Sequence, residues 1–231
     1  MLKKIDNKKM GTSDLGWLKS KFHFSFANYY NPANLNFGAL RVINDDIIKA
    51  GTGFDTHPHK DMEIITYVVR GALTHGDSMG NHNTISRGHV QYMSAGTGIF
   101  HSEHNQGKEE LRSLQIWIYP DKKDYTPNYG DYRFEWNDRH NQWLLMVSGQ
   151  NNDAPIKINQ DVNIYSLDLD QGNEISFPVP KNRQAYLLLI EGEASVNDIT
   201  LIAQDALEIT GEDIQVLAKE NSHIIIFEMN R

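Results

Sequence analysis

One layout of strands and turns occurs twice in this chain. Residues 68–77 and residues 189–198 both read as a strand, a glycine, a second strand and a polar turn. In both copies another strand, a polar break and a further strand follow. Two copies of one β module are the simplest account of this pattern, and they divide the 231 residues into two domains. We place these domains at residues 1–135 and 136–231.

Short apolar runs rich in β-branched and aromatic residues dominate both copies. Examples are residues 63–69, 114–119, 185–190 and 223–229. Gly, Asn, Asp and Pro separate the runs, and no long stretch of sequence has a helical period. These features predict an all-β protein whose many short strands form a sandwich or a barrel.

Composition argues against several classes of protein. The formal net charge of -8 opposes the capture of phosphate backbones, so nucleic acid is a disfavoured partner. The absence of Cys removes disulfides, thiolate ligands and cysteine nucleophiles. The sequence has no apolar stretch of about 18 residues and no apolar signal segment near Met1, so we expect a cytoplasmic protein with no membrane partner.

Two alternating pairs of metal-binding residues lie about forty residues apart in the first copy. His57 and His59 form one pair, and His101 and Glu103 form the other. A strand projects every second side chain to the same face, so each pair presents two ligand groups in one direction. Neutral imidazoles with one carboxylate suit a divalent transition metal such as iron, nickel, manganese, cobalt, copper or zinc.

A single His-x-His pair is weak evidence, because histidines on strands often make only ordinary hydrogen bonds. The second pair, and the glycine-rich turns before both pairs, make a metal site the stronger interpretation. When the copies are aligned so that Gly71 meets Gly192, Pro178 and Pro180 take the positions of the first two histidines. We therefore expect one metal per chain, in the N-terminal domain.

Blocks throughout the first half of the chain resemble the pirin family of the cupin superfamily. The blocks are residues 24–30, 41–46, 53–63, 75–81 and 93–103. The second half carries few signature residues, and there the resemblance rests on the repeat. The chain looks most like the bacterial pirin-like proteins known as quercetin 2,3-dioxygenases, or quercetinases. The resemblance implies a bicupin, with two tandem cupin β-barrels of the jelly-roll type and a metal in the first alone.

The resemblance also implies a ligand set. The metal ligands of pirins map onto His57, His59, His101 and Glu103, and Fe(II) is the first choice of ion. Other cupins take their carboxylate from a Glu a few residues after the His pair, which is Glu63 here. The parity of Glu63 also puts it on the face of His57 if the strand stays regular. The match to pirins favours Glu103 as the ligand and gives Glu63 a supporting role, in which it orients a ligand histidine.

Other residues near the motifs have simpler interpretations. Phe24 and Phe26 alternate, which is typical of a core-facing strand, although together with Phe54 they could also form a pocket wall. The remaining histidines of the first half include His75, in or near a turn, which we expect to face solvent.

The resemblance implies a metal-dependent dioxygenase that opens a flavonol such as quercetin. Its partners would be dioxygen and a small aromatic or polyphenolic substrate, and Glu103 would be the catalytic base for the substrate hydroxyl. The alternative is a metal-dependent sensor that binds a protein partner without turnover. A deep apolar cavity at the metal would favour the enzyme, and a sealed metal beside an acidic patch would favour the sensor. Hydrolytic or isomerase chemistry is a third option, which zinc would favour.

Overall fold

The computed structural model describes residues 1–149 and 153–231. The strands of the first part are β1 (Leu2–Ile5), β2 (Gly11–Asp14), β3 (Leu18–Phe22), β4 (Leu40–Ile48), β5 (Thr52–His59), β6 (Glu63–Arg70), β7 (Ala72–Asp77), β8 (His82–Ser86), β9 (Val90–Ser94), β10 (Ile99–Asn105), β11 (Leu111–Ile118) and β12 (Asn128–Tyr132). Those of the second part are β13 (Leu144–Gly149), β14 (Ile156–Ile158), β15 (Val162–Leu169), β16 (Glu174–Phe177), β17 (Arg183–Glu191), β18 (Glu193–Val196), β19 (Ile199–Ile202), β20 (Ala206–Thr210), β21 (Ile214–Ala218) and β22 (Ser222–Asn230). Short 3-10 helices cover Asn7–Lys9 and Trp136–Arg139, and no described helix is long and apolar enough to cross a bilayer.

The strands form four sheets, two for each copy of the repeat. In the first copy the orders are β12-β9-β6-β11-β4-β3-β2 and β5-β10-β7-β8. In the second copy they are β1-β20-β17-β22-β15-β13-β14 and β16-β21-β18-β19. The predicted all-β class with two modules is confirmed. Gly71 and Gly192, which the repeat aligns, have φ angles of 81° and 92° in equivalent turns.

Contacts divide the chain into two compact units. The N-terminal unit holds residues 11–134 and 158–160, and the C-terminal unit holds residues 1–10, 135–157 and 161–231. The first ten residues thus lie outside the unit in which the sequence places them. The reason is that β1 pairs with β20, with Leu2 opposite Ile209, and no short-range pattern reveals a pairing across most of the chain.

Apolar side chains fill the space between the two sheets of the N-terminal unit. Val68 and Leu111 of the seven-stranded sheet pack with Leu73 and Ile85 of the four-stranded sheet, and each of them is at most 1% exposed. Because side chains alternate along a strand, each sheet turns one apolar face to its partner. This packing holds the four-stranded sheet, which carries the histidine pairs, against the seven-stranded one.

The interior of the C-terminal unit is an apolar core. Leu167, Leu187, Val196, Ile214 and Ile224 belong to one large cluster of buried residues there. Across the described residues, clusters of potential metal ligands occur in the N-terminal unit alone. Both of these clusters contain His101.

Candidate metal centre

Three histidines of the four-stranded sheet bring their rings together. Strands β5 and β10 are antiparallel, and His57 lies directly opposite His101. The ring centroids of this pair are 4.5 Å apart, and the ring of His59 lies 4.9 Å from each. The ligand nitrogens of all three lie within 4.8 Å of one another. One ion bound to several nitrogens at about 2 Å from each fits such a cluster.

A hydrogen bond fixes the tautomer of His57. Its Nδ1 lies 2.7 Å from the backbone carbonyl oxygen of Asp55. A carbonyl oxygen only accepts, so Nδ1 carries the proton and donates it. In the neutral ring, Nε2 of His57 is then the nitrogen with the lone pair that a metal ion requires.

The other two rings are neutral at pH 7. Burial, assisted by neighbouring imidazoles, lowers the pKa of His59 to about 4 and that of His101 to about 3. Because the neutral ring is the form that ligates, both side chains are ready to bind a cation. His101 is 2% exposed, whereas His57 and His59 are half-buried, so the cluster is reached from the side of β5.

Glu103 is held by three side chains close to this cluster. Its Oε1 accepts hydrogen bonds from Oγ1 of Thr66 at 2.8 Å and from Nε2 of Gln91 at 2.6 Å. Its Oε2 accepts one from Nε2 of Gln115 at 2.5 Å. A carboxylate offers about four acceptor positions, so Oε2 keeps one for a metal ion.

The three donors stand in one row on the facing sheet. Gln91, Thr66 and Gln115 are neighbours in register on β9, β6 and β11, and Asn44 on β4 continues the row. These three donors were not predicted from the sequence. The signal was there, because Thr66 and Gln91 are polar side chains inside strands that are otherwise mostly apolar.

His75 is a buried neighbour of His101. It is 1% exposed, its Nε2 lies 3.0 Å from Oδ2 of Asp77, and its ring stacks on Tyr129 with centroids 4.4 Å apart. The prediction that it faces solvent was wrong, because β7 continues through His75 and the turn follows only after Asp77. Its ligand atom lies within 4.8 Å of those of His101 and Glu103.

Glu63 makes its hydrogen bonds elsewhere. Its Oε1 accepts from Oγ of Ser94 at 2.7 Å and from Nδ2 of Asn159 at 3.2 Å, and the backbone N–H of Asn159 donates to Oε2 at 3.3 Å. This differs from the expectation that Glu63 orients a ligand histidine. The physical reason is a strand break: β5 ends at His59, and Asp61 takes a φ of 50° before β6 begins in the other sheet.

A cavity of about 570 Å³ adjoins the histidines. Its aromatic lining consists of Trp17, Phe22, Phe26, Phe54 and Trp117. Trp117 stands edge-on to His59, with ring centroids 4.9 Å apart. Of the three phenylalanines predicted for a pocket wall, Phe26 and Phe54 line this cavity, and Phe24 is a core residue that is 1% exposed. The alternating pattern did not predict the position of Phe24, because β3 ends at Phe22 and the residues after it are not part of that strand.

The same cavity has a polar section formed by Ser20, Asn44 and Asp46. These three residues are each at most 7% exposed. Burial raises the pKa of Asp46 to about 7, although a hydrogen bond with Ser20 opposes the shift. This polar part of the cavity was not predicted from the sequence, because acidic residues on an alternating strand first suggest a solvated face.

The donor set fits one divalent transition metal ion. It offers up to three neutral imidazole nitrogens and a single carboxylate oxygen, the ligands that iron, nickel and related ions accept. His57, His59 and His101 lie together, and Glu103 lies next to His101 with one acceptor position open.

Comparisons with known proteins identify relatives of this chain. The profile of the Pirin family matches residues 4–118, and that of the quercetinase C-terminal cupin domain matches residues 145–229. Quercetin 2,3-dioxygenase of Escherichia coli K12 is 41% identical over 95% of this chain and 94% of its own length. A pirin-like protein of Caulobacter vibrioides is 43% identical over 97% and 99%. The crystal structure of bacterial pirin YhhW from Escherichia coli in complex with nickel(II) is similar with a TM-score of 0.93, at 39% identity over 100% and 99% of the two chains.

Proposed function

This chain belongs to the pirin family of cupin proteins, and we propose from that premise that it is a metal-dependent dioxygenase which opens flavonols such as quercetin. The observation that carries the proposal is the aromatic-walled cavity directly against His57 and His59. Small-molecule sites are typically concave and mostly apolar, with a few converging polar groups. A cavity of this kind favours an enzyme over a sensor, for which a sealed metal would suffice.

We assign His57, His59, His101 and Glu103 to a single divalent ion. Fe(II) is our first candidate, and the nickel complex of the relative from Escherichia coli makes Ni(II) the second. When bound, the ion would lower the pKa of a chelated substrate hydroxyl and bring substrate and dioxygen into one coordination sphere. The protein would supply the remaining functions.

The side chains around the ion would orient the substrate and exclude water. Trp117 and Phe54, at the two sides of the histidine pair, offer apolar surfaces on which a flat aromatic ring can pack. Glu103 would take the hydroxyl proton on Oε2, the oxygen with an open acceptor position. Since the ion would use the same position, Glu103 would alternate between holding the metal and holding the proton.

Aerobic incubation with quercetin tests the proposal. We expect the protein loaded with Fe(II), Ni(II) or Mn(II) to consume dioxygen and to release carbon monoxide together with the depside. His101→Ala, in which one ligand is lost, should show neither product. Absence of both products with all three ions in the unmodified protein would contradict the proposed reaction.

A further inference from the structure

We propose that Asn44 and Asp46 form a hydroxyl-binding subsite, which selects aromatic ligands that carry a phenolic hydroxyl beyond the group that chelates the metal. This deepens the proposed function and rests on it for the class of ligand. The subsite lies in the N-terminal unit, in the cavity that adjoins the histidines.

The position of the two residues follows from strand alternation. They are two apart on β4 and therefore share a face, and both line the cavity. Their cross-strand partners on β3 are Phe22 and Ser20, which line it as well. His57 and His59 come to the same cavity from the four-stranded sheet. A ligand that reaches the histidines can therefore also meet β4.

Both side chains have an acceptor atom that is not used. Oδ1 of Asn44 and Oδ1 of Asp46 are buried, and no hydrogen bond reaches either one from the described residues. A buried polar atom without a partner is unfavourable, so both atoms favour a ligand that donates a hydrogen bond to them. Asp45, on the opposite face of the same strand, shows the contrast, because Nε and Nη2 of Arg112 bind it at 2.8 and 2.7 Å.

The chemistry of the subsite defines what it would bind. Two oxygen acceptors require donors, and the aromatic lining of the cavity requires a flat apolar body. A cationic ligand is not required, because burial disfavours the charged form of Asp46. A phenol on an aromatic ring meets all of these conditions.

Binding measurements with two flavonols test the subsite. The probes are quercetin and 3-hydroxyflavone, which keeps the chelating group and has no other hydroxyl. Nickel-loaded protein is titrated without oxygen, and quenching of tryptophan fluorescence gives each dissociation constant. We expect the unmodified protein to prefer quercetin about 10-fold or more, which is the scale of one well-made hydrogen bond in a buried site.

The variants should remove this preference without blocking binding. In Asp46→Leu and in Asn44→Leu, quercetin should bind about 10-fold more weakly, while 3-hydroxyflavone should bind as before. Asp46→Asn keeps an acceptor oxygen and should retain most of the preference. Asp198→Leu is the matched control, because Asp198 is an exposed carboxylate outside the unit that holds the cavity. Variants that keep the ratio of the unmodified protein would overturn the proposal.

The result is separable from that of the proposed function. Affinities are measured without turnover, so a preference that depends on Asn44 and Asp46 would stand even if no carbon monoxide were formed. Conversely, dioxygenase activity with an unchanged preference in the leucine variants would remove the subsite alone. If Asp46→Leu does not fold, Asn44→Leu and Asp46→Asn still decide the question.

Discussion

The Nε2 atoms of His57 and His101 lie 3.1 Å apart across two antiparallel strands. In the neutral form of His57 the lone pair is on Nε2, because its Nδ1 donates to the carbonyl of Asp55. Nε2 of His101 must therefore donate the proton between them. For a metal ion to bind Nε2 of His101, the neutral ring must carry this proton on Nδ1 instead, so metal binding and the tautomer of His101 are coupled at this pair.

Loss of either ring should abolish tight metal binding. We expect His57→Ala and His101→Ala to weaken nickel binding by about 100-fold or more, measured by isothermal titration calorimetry, since each removes a proposed direct ligand. His82→Ala is the control, because His82 is exposed on β8. Equal affinities in the three variants would contradict the assignment of the ligands.

A side chain at Gly53 should push the two ligand strands apart. A Cβ there would overlap the carbonyl oxygen of Glu103 and the Cα of His104 on β10. We expect Gly53→Ala to cost about 3 kcal/mol or more in the free energy of unfolding and to weaken metal binding. Gly51→Ala meets no atom within 4 Å and suffers only from its φ of 72°, so it should cost about 1 kcal/mol and leave metal binding intact. Urea denaturation and calorimetry measure the two effects.

Removal of the Glu63 carboxylate should affect stability and spare the metal. Its hydrogen bonds go to Ser94 and Asn159, so Glu63→Ala should cost about 2 kcal/mol in urea denaturation. The dissociation constant for nickel should change less than about 2-fold, since no ligand depends on Glu63. A loss of affinity near 100-fold would instead support Glu63 as the residue that orients a ligand histidine.

Asp46 should make the protein less stable as the pH rises from about 4 to about 7. Burial, with added repulsion from Asp45 and Glu103, raises its folded-state pKa from 3.8 to about 7. The unfolded chain therefore loses this proton first, and stability is full below pH 4 and falls until the folded pKa is passed. At ~1.4 kcal/mol per pKa unit the loss is roughly 4 kcal/mol at most.

Substitution by Asn isolates this contribution. Asp46→Asn should melt at a higher temperature than the unmodified protein at pH 8, and the difference should shrink toward pH 4. Asp45→Asn provides the opposite sign, because its carboxylate holds Arg112 through two hydrogen bonds, and this variant should melt lower at pH 8. Thermal scans at both pH values would contradict the argument if Asp46→Asn were the less stable protein at pH 8.

Much of the fold follows from short patterns. Alternating apolar runs fix strands, and the repeat around Gly71 and Gly192 fixes two modules, because local sterics and turn geometry act within a few residues. The alternation within each His-containing pair follows in the same way, whereas the register of β5 with β10 sets His57 opposite His101.

Strand parity predicts the face of a side chain only within one strand. The tertiary structure decides the faces of residues that follow a turn. Glu63 shares the parity of His57 yet faces Asn159, because the chain changes sheets after His59. The three donors to Glu103 come from three strands, and a register between strands is a property of the whole sheet.

The sequence by itself thus determined the class of fold, the number of modules and the residue types of the candidate metal centre. Only the tertiary structure decided which polar groups surround that centre, that His75 is buried beside it, and that Asn44 and Asp46 line the cavity. The physical reason is the distance along the chain over which each effect acts. Propensity and alternation act between near neighbours in the chain, whereas burial and hydrogen-bond partners depend on which strands pack face to face.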